Sequence, residues 1–557
     1  LKHFINLITS GTKKLLNWIV RERDVFPVVI FALVPTLSFW TVNNIQELGP
    51  SLMTRVLAVA LLFGLIFYVS WYFLLKKDKF KASIMAILTI IATFSYGQLF
   101  NIYQQLIDAA FENENRFDSD SSFLVVLVIL YITTIYLVKN KLKPSQTLRN
   151  YIALFATILL AFNLYPLIRH WITNFGLNDT PFGANIEVVN EKTATEKPDI
   201  YYLVFDRYAN EQVLKDIYNF NNSSFLDTLE DKGFYVASNS AANYPFTTFS
   251  LTTSLNLDYV PEEFRNRPES GLYYTLLKDK MENNKAVLFL KEQGYTFTNI
   301  GPWWTATKYN KNADTDLFFP TGIVLLNKKT DLKEHELLLF QDTILWPFFS
   351  KLPLTMGPHK VYGLTFTKGK ESTSRVIHRQ TALHQFESLT QTTQEPGPKF
   401  VFAHLLFPHD PYVLDENCNV FQERYDDEYV VYINQLKCAN SKIQQTIEYI
   451  LENNETEPII IIQSDEGPYP KAFRENKELD WSKAPVELLH QKAKILNAYY
   501  FPDGNYSELY ESVSPVNSFR LIFDQFLGTD LGLLEDRHYF QESEKRRFFL
   551  HDLTEKF

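Results

Sequence analysis

At 557 residues the chain exceeds what one hydrophobic core supports, so two or more domains are expected. Its formal charge of −10 is unevenly spread: residues 1–172 hold 16 Lys and Arg against 9 Asp and Glu, which leaves −17 on residues 173–557. An acidic second half excludes the basic face that a nucleic-acid partner selects, and a mean hydropathy of −0.14 averages two unlike halves.

Residues 3–20 (HFINLITSGTKKLLNWIV) mix apolar and basic side chains. They predict an amphipathic helix on the inner leaflet, within a cytoplasmic segment 1–24. Five apolar runs follow, at 25–44, 56–75, 82–103, 122–138 and 151–172. Each is near the roughly 20 residues that cross a bilayer, and a cleaved signal peptide does not account for five. They predict a five-helix transmembrane bundle over 25–172 in a multi-pass plasma-membrane protein, with membrane lipids as partners. Lys2, Lys13, Lys14, Arg21 and Arg23 precede the first run. Lys76, Lys77, Lys79 and Lys81 follow the second, and Lys139, Lys141, Lys143 and Arg149 follow the fourth. The alternate connections are poor in basic residues: 45–55 has Arg55 alone, and 104–121 is acidic. The positive-inside rule then places the N-terminus in the cytoplasm and everything after about residue 173 outside; one re-entrant run would reverse this. Few charges fall within the runs, with Arg55 and Arg169 near their ends, so a transporter or channel pathway is not evident.

Residues 173–197 are polar and read as a linker, and 198–557 as an extracytoplasmic α/β domain. Strands are expected at 199–205, 294–300, 399–406, 457–463 and 493–500, and helices at 210–232, 283–293, 424–453 and 516–527. This alternation predicts a mainly parallel central sheet with helices on both faces. Cys418 and Cys438, the two cysteines, would form a disulfide outside the cytoplasm, the alternative being two buried thiols.

Ligands bind beyond the carboxyl ends of the strands in such sheets. The first strand ends in Asp206-Arg207, the third carries His404 and runs into His409-Asp410, and the fourth ends in Asp465-Glu466-Gly467. Asp206 and Asp465 suit a divalent cation. Thr247, at a predicted helix start, would be a nucleophile beside it, with Thr248 as the second choice; a plain helix cap is the bland alternative. His404 and His409 could bind phosphoryl oxygens or protonate a leaving group; otherwise they are a buried strand residue and a loop residue.

The pairing of VFDRY with QSDEG resembles the metal-binding strand ends of the alkaline phosphatase and sulfatase superfamily. NYPFTTFSLTTSLN (243–256) stands where that family keeps its nucleophile, and FAHLLFPHDPY (402–412) is similar to its His-bearing segment. Five spans ahead of these motifs resemble the lipoteichoic acid synthase and phosphoethanolamine transferase branch. The resemblance covers most of 198–530 and implies an alkaline-phosphatase-like domain. It further implies metal ligands Asp206, Thr247, Asp465 and Glu466. Arg207 would hold phosphoryl oxygens or a structural carboxylate, and Trp303 and Trp304 would stack on a sugar or lipid headgroup or pack in the core. Where the family has Asp-His-Gly this chain has Glu466, which would favour one Mn²⁺, Mg²⁺ or Ca²⁺ over Zn²⁺, or point away and leave an incomplete site. The only match to a second metal motif, Asp331 to His335, is expected at the surface, and the sulfatase formylglycine sequence is absent. The implied activity is a metal-dependent phosphotransferase or phosphodiesterase on lipid-linked or cell-envelope glycan substrates; the alternative is an inactive scaffold in envelope assembly.

Overall fold

The computed structural model describes residues 22–42, 50–111, 119–174, 182–189, 197–265, 272–319, 324–325, 328–329, 339–340, 343–345, 353–356, 359–362, 373–421, 427–543 and 546–557. The chain divides into two compact units, one of residues 1–174 with 321–365, the other of 175–320 with 366–557. The segment 321–365 thus groups with the N-terminal helices, where the sequence places it in the α/β domain. The amphipathic segment 3–20 and the Asp331 to His335 pair lie outside the described residues.

The first unit's helices are Phe26–Val42, Pro50–Leu74, Lys79–Phe94, Tyr96–Phe111, Ser119–Asn140 and Gln146–Asn174. Among the described residues three segments are long and apolar enough to cross a membrane: Met53–Leu74, Ser122–Asn140 and Gln146–Arg169. The pair Lys79–Phe94 and Tyr96–Leu106, bent by 69°, makes a fourth if it is one broken span, and Phe26–Thr41 is apolar but shorter. The expected five spans are therefore three or four by length. Run 82–103 breaks where its apolar character lapses, at Ser95-Tyr96-Gly97-Gln98, although its length alone reads as one span. The outward surfaces are apolar, as at Leu65, Ile132 and Phe162, which suits lipid rather than water. Lys81 Nζ donates to the Lys139 carbonyl at 2.8 Å, and Arg149 pairs with Asp24 at 2.9 Å. These contacts gather the start of the first helix and both Lys-rich connections at one end of the bundle.

In the second unit seven strands form one sheet: β1 Ile200–Phe205, β2 Tyr235–Val236, β3 Thr296–Gly301, β4 Thr315–Phe318, β5 Lys399–Leu405, β6 Ile459–Gln463 and β7 Asn497–Tyr500. Their order is β2-β7-β6-β1-β5-β3-β4. The pairs β6-β1, β1-β5, β5-β3 and β3-β4 are parallel; β7 runs antiparallel to β6 and to β2. The central strands are apolar on both faces, which is why they read as continuous runs. Tyr201, Leu203, Phe205, Val401, Ala403, Ile460 and Ile462 enter one core. Ile200, Tyr202, Val204, Phe400, Phe402, Ile459 and Ile461 enter the other, together with Leu251 and Leu255 of the helix Thr247–Asn256.

Three expectations are corrected. The helix expected over 210–232 is two, Glu211–Tyr218 and Ser223–Asp231, because Asn219 takes a left-handed conformation (φ 50°) that caps the first. The strand expected at 493–500 is confined to Asn497–Tyr500 and is antiparallel. Part of the expected linker is packed: Phe182 and Ala184 are buried, the Ala184 amide donates to the Asn256 carbonyl at 2.9 Å, and Val188 bridges Thr529.

Cys418 and Cys438 are joined as a disulfide across a sequence separation of 20. By loop-closure entropy such a bond contributes about 3 kcal/mol. Replacing both cysteines by serine is expected to lower the unfolding temperature of the full chain by several degrees, read by calorimetry, and an unchanged value would show that the crosslink contributes nothing.

Candidate metal centre

Strand register assembles the centre. Val204 of β1 lies opposite His404 of β5 and Gln463 of β6, so the carboxyl ends of three parallel strands share one level. Side chains alternate along a strand. Counting by twos from Val204, Phe402 and Ile461 brings Asp206, His404 and Asp465 to the same face of the sheet. The helix Thr247–Asn256 packs on that face through Leu251 and Leu255, which sets its first residue, Thr247, beside the strand ends.

One ligand atom each from Asp206, His404 and Asp465 lies within 4.8 Å of the others, and all three residues are buried. His404 Nδ1 is taken by the Thr307 hydroxyl at 2.8 Å, which leaves Nε2 to face the group. Among the described residues, Asp206 Oδ1, both Asp465 oxygens and His404 Nε2 are buried without a hydrogen-bond partner. Each such orphan costs about 1–3 kcal/mol, more when charged. Burial, then the Asp465 and Glu466 charges, pushes the Asp206 carboxyl well above the usual carboxylate range. Burial and Glu466 push Asp465 up to about 7, against the opposing effects of the Thr247 hydroxyl and Lys492. Burial holds the His404 imidazole down to about 3, hence neutral. Two carboxylates and a neutral imidazole with converging lone pairs are the donor set a divalent cation takes, so these residues fit one.

Glu466 is not in this group. Its Oε1 is taken by Lys492 Nζ at 2.5 Å and by Arg207 Nε at 3.2 Å, the arrangement of the alternative in which Glu466 points away from the ion. Arg207 also donates to Asp410 Oδ1. Its φ of 65° turns the chain sharply after Asp206, separating the carboxylate from the guanidinium. Gly467 is needed because a Cβ there would stand 2.3 Å from the Gln491 carbonyl oxygen, where the backbone of the Lys492 segment closes on the Asp465 turn.

The other expected site residues lie around this core. Thr247 is half-buried, and its hydroxyl lies beside the Asp465 carboxylate. His409 Nε2 stands 3.9 Å from Asp206 Oδ2. Trp304 presents its ring edge-on to the His404 imidazole, centroids 5.8 Å apart, and packs on the adjoining core. Trp303, 38% exposed, donates its indole N–H to His378 Nδ1 at 2.8 Å. Lys492, His378 and Thr307 are residues the sequence did not single out. Each lies alone outside the strand-end motifs, with no local signal to mark it.

No protein-family model and no curated protein matches the chain. Among solved structures it is similar to the C-terminal periplasmic domain of EcEptC from Escherichia coli, at 14% identity over 67% of this chain and 96% of that one, with a TM-score of 0.39. It is similar to the C-terminal periplasmic domain of phosphoethanolamine transferase EptC from Campylobacter jejuni, at 11% identity over 61% of this chain and 92% of that one (TM-score 0.33). A protein in the alkaline phosphatase superfamily from Vibrio parahaemolyticus is similar at 11% identity over 68% and 81% of the two chains, with a TM-score of 0.36.

The raised carboxyls set the pH behaviour of the centre. A cation must displace whatever protons Asp206 and Asp465 hold, whereas neutral His404 holds none. Affinity for a divalent ion is therefore expected to fall as pH drops below about 7, the value that Asp465 approaches. Calorimetric titrations in buffers of different ionisation enthalpy should show more protons released at pH ~6 than at pH ~8. Equal release at both would contradict the assignment of these carboxylates.

Proposed function

We propose that this chain is a membrane-anchored, metal-dependent phosphotransferase or phosphodiesterase acting on lipid-linked or cell-envelope glycan substrates, with Thr247 as nucleophile. One observation carries it: one buried ligand atom from each of Asp206, His404 and Asp465 converges with the others, and the Thr247 hydroxyl lies beside Asp465. Asp206, His404 and Asp465 would hold the ion, with Thr247 Oγ1 adjacent. Bound there, the ion would lower the pKa of the threonine hydroxyl and offset phosphoryl charge. Because one donor is an imidazole and Glu466 is engaged elsewhere, the set suits Zn²⁺ or Mn²⁺. That revises the preference for Mg²⁺ or Ca²⁺, which rested on Glu466 as a ligand.

In the first step the Thr247 oxygen attacks phosphorus, the donor's P–O ester bond breaks, and the threonine proton passes to the departing oxygen. In the second an acceptor hydroxyl, or water, attacks the phospho-threonine. The P–Oγ bond breaks, and the acceptor's proton ends on the threonine oxygen. His409, beside Asp206, would relay these protons, and Arg207, paired with Glu466 and Asp410, would lend positive charge to phosphoryl oxygens. The bundle keeps the site at a membrane, with the α/β domain outside under the positive-inside reading. The pairing of Glu466 with Lys492 and Arg207, which offsets part of its charge, supports the enzyme reading over the scaffold alternative.

Purified full-length protein should hydrolyse bis(p-nitrophenyl) phosphate. A chelator should abolish turnover, and Zn²⁺ or Mn²⁺ should restore it. Undiminished turnover by metal-free protein would end the proposal.

A further inference from the structure

We propose that the helix Glu428–Asn453 sets the geometry of the candidate centre through two positioning residues, Tyr432 and Gln435. Gln435 clasps the loop that carries His409, and Tyr432 holds the turn that follows Asp206. This deepens the phosphotransfer reading and rests on it.

The His409 loop needs an external hold. Among the described residues, no backbone–backbone hydrogen bond involves residues 408–412, and Pro408 and Pro411 have no N–H to give. Gln435 is fully buried, at 0% exposure. Its Oε1 accepts the Val413 amide at 2.7 Å and the Leu414 amide at 3.2 Å. Its Nε2 donates to the Pro408 carbonyl at 3.1 Å and to the His409 carbonyl at 2.9 Å. One side-chain amide thus spends both lone pairs and both protons on a single loop, gripping it on either side of Asp410. Three residues earlier, on the same helix face, the Tyr432 hydroxyl donates to the Arg207 carbonyl at 2.9 Å and accepts the Ala209 amide at 3.3 Å. Three residues later, Cys438 ties down Cys418, just past the loop.

Packing alone does not call for this arrangement, because an apolar side chain would fill position 435 without burying an amide. The base from which both residues act is rigid. Leu436, Ala439, Ile443 and Ile447 of the helix share one core with Leu203 and Phe205 of β1 and with Ala403 and Leu405 of β5, so helix and strand ends move as one body. Arg375 donates to the Tyr412 carbonyl at 2.7 Å, and Arg207 pairs with Asp410. Each of these meets the loop at one point, whereas Gln435 spans it. His409 Nε2 stands 3.9 Å from Asp206 Oδ2, and a group misplaced by about 1 Å loses on the order of a hundredfold in rate. Releasing Gln435 therefore strikes proton delivery by His409 to the leaving oxygen. Releasing Tyr432 strikes the seat of Asp206, and with it the hold on the cation.

The test uses the full-length protein in lipid nanodiscs, with kcat and KM measured at saturating Zn²⁺ on two diesters. Bis(p-nitrophenyl) phosphate has a leaving group that needs little protonation; the phenoxide of diphenyl phosphate needs more. Rates are expressed per Zn²⁺ site titrated by calorimetry, so loss of folded protein cancels. Gln435→Met is expected to lower kcat on diphenyl phosphate about tenfold more than on bis(p-nitrophenyl) phosphate, with KM and Zn²⁺ affinity unchanged. Tyr432→Phe, which loses one oxygen and keeps the ring, is expected to weaken Zn²⁺ binding by about tenfold and to leave the ratio of the two rates alone. If Gln435→Met does not fold, Gln435→Glu carries the same expectation, since it keeps the oxygen facing Val413 and Leu414 and loses the donors to Pro408 and His409. Equal losses on the two esters mark Gln435 as merely structural and overturn the proposal, as does unchanged Zn²⁺ affinity in Tyr432→Phe; in either case the phosphotransfer reading stands. A wild type that binds Zn²⁺ and hydrolyses neither ester sinks the phosphotransfer reading, and the Zn²⁺ affinity of Tyr432→Phe then decides the positioning role by itself.

Discussion

Thr247→Ala is expected to lower phosphodiester turnover by about 10³-fold or more, equivalent to about 4 kcal/mol of barrier. The side chain lost is the only covalent participant in the proposed mechanism, so no fraction of the two-step route survives. Thr247 is half-buried at the first turn of its helix and not in the core, so the variant should unfold within a few degrees of the wild type. Asp206, His404 and Asp465 are untouched, so bound metal should remain. Thr247→Ser, which keeps a hydroxyl, should recover a measurable part of the rate. Thr248→Ala should change turnover by a few-fold at most. Turnover that survives Thr247→Ala but not Thr248→Ala would move the nucleophile by one residue; survival in both would remove the covalent step.

Glu466→Gln is expected to destabilise the protein by about 3–5 kcal/mol, because it leaves the fully buried Lys492 ammonium without its counter-charge. Burial already holds the Lys492 pKa below its ordinary value, and Glu466 is the largest opposing effect. Arg207 keeps Asp410 as a partner and is less exposed to the loss. Pairing the change with Lys492→Met removes the stranded charge and should recover a large part of the stability, a coupling that a double-mutant cycle in denaturant reads directly. Glu466→His, which would write the family's Asp-His-Gly sequence into this chain, strips the same ion pair. It is expected to cost stability also. Additive single and double mutants would show that Glu466 and Lys492 do not depend on each other.

These two residues also mark how far the sequence could be read. The ends of β1, β5 and β6 were legible because doubly buried parallel strands are continuous apolar runs, and a carboxylate closing such a run stands out. Thr247 was legible as a helix start behind those strands. That His404 faces Asp206 and Asp465 follows from strand parity, but only once register pairs residue 404 with residue 204. Whether Glu466 turns to the ion or away was open in the sequence, because its partner Lys492 comes from the segment leading to β7 and nothing local connects the two. The short marginal strands β2 and β4 offered too few residues for a periodic signal. The break at Ser95 coincides with the polar stretch Ser95 to Gln98, too short to divide a run of spanning length, and the packing of 182–189 depends on Phe182 joining Tyr244 and Phe249 in a cluster that polar neighbours conceal.

The central claim is that Asp206, His404 and Asp465 enclose one cation within reach of Thr247. Anomalous diffraction from crystals of the full chain grown with Zn²⁺ or Mn²⁺ tests it most directly. A single strong peak bounded by the two carboxylates, His404 Nε2 and the Thr247 oxygen is the expected result. A metal-replete crystal with no peak there, or a peak held by Glu466 with His404 turned away, would contradict the account.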